Sequence, residues 1–122
     1  YVHNIDEIPI PKVDIVVCSA TAQHLEYPKK ALKRMTDSSN NTFILRTWAG
    51  PSEILEIDKT EYVNNPCTVN QFNMYDLIDQ ITSEGFSVKV LQDKATKNSK
   101  PHLIHGSYTR QYFIFDCKRL VI

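Results

Sequence analysis

Three groups of residues in this chain have the types and spacing to do chemistry. The first is Ser19-Ala20-Thr21-Ala22-Gln23-His24, a small and polar stretch directly after the apolar run Ile15-Val16-Val17-Cys18. Small side chains leave room for a ligand beside the backbone, so Ser19, Ala20 and Gln23 are the expected lining of a crevice. His24 is the candidate general base, because an imidazole titrates near neutral pH. The second group is Arg46-Thr47-Trp48 at the end of another apolar run. A guanidinium there can hold a carboxylate or phosphate, and an indole can stack on a ring or sugar. The third is His102 and His105, spaced H-x-x-H, with Tyr108 and Arg110 close behind in a polar stretch. Tyr108 is the residue of this group expected to touch a substrate.

Each group also has a plainer reading: a strand-to-helix turn with a surface histidine, a structural ion pair beside a partly buried Trp, and an exposed hairpin loop. A structural zinc site needs four ligands in recognisable spacing, and Cys18, Cys67 and Cys117 contain no C-x-x-C. No metal site is expected. The sequence has no G-x-S-x-G elbow, no H-E-x-x-H and no P-loop.

Composition sets the bounds within which these residues act. The chain has 122 residues, 42% hydrophobic and 23% charged, enough for one domain with a core. Acidic and basic side chains cancel to a formal charge of zero, against the basic excess of a dedicated nucleic-acid binder. No run reaches the length of a membrane span. An odd number of cysteines without tight spacing, with Cys18 and Cys117 inside apolar runs, points to free thiols in a reducing, cytoplasmic setting. The first residue is Tyr1, not Met, as expected for a piece of a longer protein.

The elements that must position the candidate residues follow from pattern. The continuous β-branched run predicts a strand over Val13–Ser19, buried on both faces, as in the centre of a parallel sheet. In open α/β sheets ligands bind past the carboxyl ends of the strands, which puts the site at its tip. Pro28 suits the first turn of a helix whose apolar side is Leu25, Ala31, Leu32 and Met35. Thr36–Asn41 reads as a turn cluster, Thr42–Thr47 as a second strand, and residues 52–71 as a long connection without period. Asn73 is the expected N-cap of a second helix, with Asp76 as capping-box partner and Gly85 as its left-handed stop. Phe86–Leu91 alternates like a strand, Gln92–Arg110 is a polar loop, and Gln111–Cys117 is the last strand. With no helix between them, the last two strands should pair antiparallel. The expected class is α/β: a partial doubly wound, mostly parallel sheet of about four strands with a C-terminal antiparallel hairpin strand.

This order resembles the C-terminal half of a class I S-adenosylmethionine-dependent methyltransferase. VDIVVCSATAQHL resembles that family's fourth strand and following loop, PKKALKRM the next helix, and NTFILRTWAG the fifth strand. MYDLIDQITSEGF with SVKVL resembles the next helix and sixth strand, and QYFIFDCKR the antiparallel seventh. The likeness spans essentially the whole chain. Its counterpart to the family's first half, with the glycine-rich loop, is absent: the only glycines are Gly50, Gly85 and Gly106. Asn4-Ile5-Asp6-Glu7-Ile8-Pro9 falls in register with the family's adenine-binding motif. Asn4 stands at the acidic position and Ile5 against the adenine face.

The resemblance implies an enzyme that, in its full-length form, moves a methyl group from S-adenosylmethionine to an O or N nucleophile of a small polar acceptor. It implies cofactor contacts at Asn4, Ile5, Ser19, Ala20 and Gln23, a catalytic role for His24, and acceptor contacts at Arg46, Trp48 and Tyr108. The alternative is a non-catalytic half-domain or interaction module without cofactor binding. A half-sheet would leave the opening strand as a bare edge, which implies a homodimer or pairing with another chain.

Overall fold

The computed structural model describes residues 10–55, 57–58, 67–94, 102–104 and 108–121, with backbone alone at 57–58, 67, 102–104 and 108–109. Asn4 and Ile5 lie outside the described residues, as does the side chain of Tyr108. In chain order the elements are β1 (Val13–Ser19), a 3-10 turn (Ala22–His24), α1 (Pro28–Ser38), β2 (Ser39–Gly50), β3 (Ile57–Asp58) and β4 (Cys67–Thr68). They continue with β5 (Phe72–Asn73), α2 (Met74–Ser83), β6 (Phe86–Gln92), β7 (His102–Ile104), β8 (Tyr108–Arg110) and β9 (Tyr112–Arg119).

The main sheet runs β1-β2-β9-β6, with β5 extending it beside the end of β2. β1 and β2 are parallel, and β9 is antiparallel to both of its neighbours, β2 and β6. The chain therefore skips a place at β6 and fills it last. The antiparallel pairing of the final two long strands is as expected, although the short hairpin of β7 and β8 lies between them in sequence.

Both helices serve one face of this sheet. Ala31, Leu32 and Met35 of α1 and Leu77 and Ile81 of α2 close over Cys18, Phe43, Leu45, Phe115 and Cys117. The helix ends are built as the sequence implies: Pro28 opens α1, and Asn73 Oδ1 accepts from the backbone N–H groups of Tyr75 (3.0 Å) and Asp76 (3.1 Å). Gly85 takes φ +93° just past α2, a conformation that glycine adopts without the Cβ clash.

Two expectations change. β1 is not buried on both faces: Ile15 and Val17 are 58% and 63% exposed, while Cys18 on the other face is buried. The apolar run reports two apolar faces, but among the described residues only the helix-bearing face is covered. Residues 36–41 are no turn; α1 runs to Ser38 and β2 begins at Ser39. Here the polar side chains satisfy the helix end, with Ser39 Oγ donating to Met35 O (2.8 Å) and Arg119 Nη2 donating to Thr36 O (2.9 Å) and Ser39 O (2.7 Å). The long connection after β2 is pinned where it returns, by the paired backbone bonds Ile54 N–H to Gln71 O (3.0 Å) and Gln71 N–H to Ile54 O (2.8 Å).

Candidate functional site at the strand tips

At the end of β1 the backbone turns sharply. Ala20 N–H still donates to Arg46 O (2.9 Å), one residue beyond the strand, but Ala20 itself sits at φ +55°. A left-handed conformation costs a residue with a Cβ roughly 1–2 kcal/mol, and such strain tends to persist where the surroundings demand it. Thr21 Oγ1 braces the turn by donating to Ser19 O (3.0 Å). The chain then coils into the 3-10 turn that carries Gln23 and His24.

These two neighbours have opposite fates. Gln23 is fully buried; its Nε2 donates to the Tyr112 hydroxyl (2.9 Å) and its Oε1 accepts from Thr47 Oγ1 (3.1 Å). The amide thus locks the turn to β2 and β9. His24 is exposed, with Nδ1 2.8 Å from Thr68 O. A carbonyl oxygen only accepts, so Nδ1 is the donor in this contact. The imidazole also meets Trp48 edge-on, with centroids 5.4 Å apart at 77°.

Alternation along β2 sends Thr47 and Ala49 toward the helices and Arg46 and Trp48 toward the opposite face. Arg46 Nε and Nη2 both reach Asp93 Oδ2 at 2.8 Å, and the guanidinium lies 3.9 Å from the centroid of the Tyr112 ring. Trp48 is buried against Tyr112, Val69 and Ala20, and its Nε1 has no hydrogen-bond partner among the described residues. Burial raises the Tyr112 phenol above its ordinary pKa, and the positive charge of Arg46 works in the other direction.

The fold therefore brings Ser19, Ala20, Gln23, His24, Arg46 and Trp48 to one end of the sheet. Asn4, Ile5 and the Tyr108 side chain lie outside what is described. Sequence reasoning missed Asp93, Tyr112 and the strap of Thr68, Val69 and Asn70. The strap binds the turn through Asn70 N–H to Gln23 O (2.8 Å) and Asn70 Nδ2 to Leu25 O (3.1 Å). The alternation of Phe86–Leu91, carried two residues further, would have put Asp93 on the same face as Leu91. Nothing local marks the strap.

Among the described residues no three His, Cys, Asp or Glu side chains come together as a metal site. Cys18 and Cys117 are free and buried, and burial pushes the Cys117 thiol up to about 12. Among the described residues no helix is long and apolar enough to cross a membrane.

No family model and no curated protein matches the sequence. Solved structures do. A magnesium protoporphyrin IX methyltransferase from Synechocystis with bound SAM superposes on 98% of this chain at TM-score 0.58 and 15% identity; the chain spans 45% of that protein. A putative S-adenosylmethionine-dependent methyltransferase from Listeria monocytogenes matches 98% of this chain, and 68% of its own length, at TM-score 0.68 and 9% identity. One from Mesorhizobium loti matches 96% of this chain, and 67% of its own length, at TM-score 0.66 and 12% identity. Sheet order, the antiparallel β9 and these superpositions agree: the chain has the Rossmann-like fold of the class I S-adenosylmethionine-dependent methyltransferases.

Proposed function

We propose that the chain is the C-terminal half of a methyltransferase domain whose full-length form transfers a methyl group from S-adenosylmethionine to an O or N nucleophile of a small polar acceptor. The observation that carries this is β9, inserted antiparallel between β2 and β6, with the candidate residues gathered at the tips of β1 and β2. Among the described residues, the open face of Ile15 and Val17 and the pairing of β1 with β2 alone support a half-domain. The preceding part of the parent would supply the remaining strands and the glycine-rich loop.

The strand tip fits such a cofactor in one respect: the left-handed turn at Ala20, with only a methyl side chain, keeps the backbone approachable. Ser19 and Ala20 would line the cofactor, with Asn4 and Ile5 at its adenine, and Gln23 would hold the turn in place. The cofactor supplies a methyl group already activated by its sulfonium, so positioning of the acceptor is most of the catalytic task. His24 would take the proton of the attacking hydroxyl or amine. Arg46, Trp48 and Tyr108 would form the acceptor side. The buried thiols of Cys18 and Cys117 support a reducing, cytoplasmic setting.

The second reading is a non-catalytic half-domain, favoured by the internal use of the Gln23 amide and of the Arg46 guanidinium. Calorimetry with S-adenosylmethionine separates the two. Under the first reading the full-length parent binds at micromolar concentration; no binding by the parent would refute it, and micromolar binding by this chain alone would refute the half-domain. An edge of β1 left unpaired among the described residues further implies self-association of the isolated chain, and a monodisperse monomer in sedimentation at high concentration would count against a missing half.

A further inference from the structure

A cavity of about 410 Å³ opens at the end of β2, beside the first turn of α2. Ala49 and Phe113, which line it, pack with the helix-covered cluster, whereas their neighbours Trp48 and Tyr112 form the second cluster with Val69. Its wall has two parts. Ala49, Pro51, Met74 and Phe113 are apolar. Gln71, Gln111 and Arg110 are polar, and the exposed Tyr75 stands at the rim.

Arg110 decides what this wall can hold. It is the last residue of β8 and only 1% exposed, so it meets the cavity from inside the protein and not from the surface. A guanidinium keeps its charge in a protein interior. Among the described residues that line the cavity none is acidic, and Arg110 alone is cationic, so the wall contributes one formal positive charge. The polar neighbours are held in place. Gln71 is anchored to Ile54 by both of its backbone bonds, and its Nε2 donates to Ser52 O at 2.8 Å. Gly50 makes room for that amide, because an added Cβ would stand 2.7 Å from Gln71 Nε2. The backbone O of Gln111 accepts from Ala49 N–H at 3.2 Å. A cavity of this size, with apolar walls, a few fixed polar groups and one charge, has the usual construction of a small-molecule site.

We propose that this cavity binds a small organic monocarboxylate with an apolar, aromatic body. The carboxylate lies on Arg110, whose planar fork matches its two oxygens, and the body lies between Pro51, Met74 and Phe113. One charge on the ligand balances one on the wall. A neutral isostere forfeits that attraction, and a second charge on the ligand would be desolvated without a counterpart. The assignment does not depend on methyl transfer, and its failure leaves the methyltransferase reading as it was.

Benzoate is the test molecule and benzamide its neutral counterpart of the same shape. Each is titrated against the full chain by calorimetry while the NMR resonances of the Met74 methyl and the Arg110 Nε–H are followed. Benzoate is expected to saturate at one molecule per chain, to shift both resonances, and to bind at least about tenfold tighter than benzamide, the worth of a charge-assisted hydrogen bond. Arg110→Met should remove the preference for benzoate over benzamide. Met74→Glu leaves Arg110 in place and sets a carboxylate in the cavity, and is expected to abolish benzoate binding. Val17→Glu makes the same change of charge on the exposed sheet face and is expected to leave binding unchanged. Circular dichroism establishes that each variant is folded; with an Arg110→Met chain that fails to fold, the comparison of Met74→Glu with Val17→Glu decides. Absence of saturable benzoate binding, equal affinity for benzamide, a preference retained in a folded Arg110→Met chain, or equal effects of Met74→Glu and Val17→Glu would each overturn the assignment.

Discussion

The Gln23 amide is the joint on which the candidate site hangs, and replacing it with leucine measures that directly. Gln23→Leu keeps side-chain length and volume close to the original but removes both hydrogen bonds, to Thr47 Oγ1 at 3.1 Å and to the Tyr112 hydroxyl at 2.9 Å. Thr47 is fully buried, so its hydroxyl loses its acceptor without gaining water. An unsatisfied buried group costs about 1–3 kcal/mol, and the second bond adds about 1 kcal/mol, for a total of about 2–4 kcal/mol. For a chain of this size that is a fall in Tm of about 8–16 °C. Thr47→Val preserves shape but leaves the buried Gln23 Oε1 without its donor, and is likewise expected to cost about 1–3 kcal/mol. In the double variant the leucine should then be milder than in the wild-type background by about 1–2 kcal/mol, the coupling that a double-mutant cycle reads. Because Gln23 Nε2 donates to the phenol oxygen, its loss also removes a stabiliser of the phenolate and should raise the Tyr112 pKa further, read by ultraviolet titration. Trp48, the single tryptophan, reports the site by its emission. Additive costs, or a Gln23→Leu chain as stable as wild type, would refute the view that this amide organises the turn.

Two further outcomes are expected away from the turn. Arg119 spans the ends of both helices, donating to Thr36 O (2.9 Å), Ser39 O (2.7 and 3.0 Å) and Glu84 O (3.4 Å), with its guanidinium 4.4 Å from the Phe86 ring centroid. Arg119→Met should cost about 2–4 kcal/mol in urea unfolding, and Arg119→Lys should recover less than half, because one ammonium lacks the planar fork that reaches both ends. An unchanged urea midpoint would discard this role. Cys117 titrates higher folded, about 12, than at its ordinary value of 9.0, because burial disfavours the thiolate and Asp116 adds to it. The folded state therefore holds this proton more tightly than the unfolded state. The resulting stability is complete below about pH 9 and declines toward pH 12, with a slope of at most about 1.4 kcal/mol per pH unit. Cys117→Ala should flatten the alkaline limb of a Tm-against-pH curve; an identical limb would show that the thiol does not contribute.

Much of the architecture was legible because it is written in short-range chemistry. The cap at Asn73, the proline opening α1 and the left-handed glycine after α2 each depend on one or two residues, and each is found as expected. The run Val13–Ser19 specified a strand, and the absence of a helix between Phe86–Leu91 and Gln111–Cys117 specified an antiparallel pair. The stretch at residues 36–41 misled because Ser, Asp and Asn favour turns locally, whereas Arg119, far away in sequence, ties the helix end directly to β2. β1 misled differently. An apolar side chain records that burial is favourable, without saying whether a covering layer is at hand.

The candidate site divides along the same line. Sequence by itself determined that small residues, an imidazole, a guanidinium and an indole would follow apolar strands, because strand and turn propensities act between near neighbours. Only the tertiary structure decided which way each side chain is used. It paired Arg46 with Asp93, turned Gln23 inward to Thr47 and Tyr112, and fixed the His24 ring through its Nδ1 on Thr68 O. Those partners lie on other strands, and their approach depends on β9 being inserted between β2 and β6, a choice made by the packing of the whole sheet.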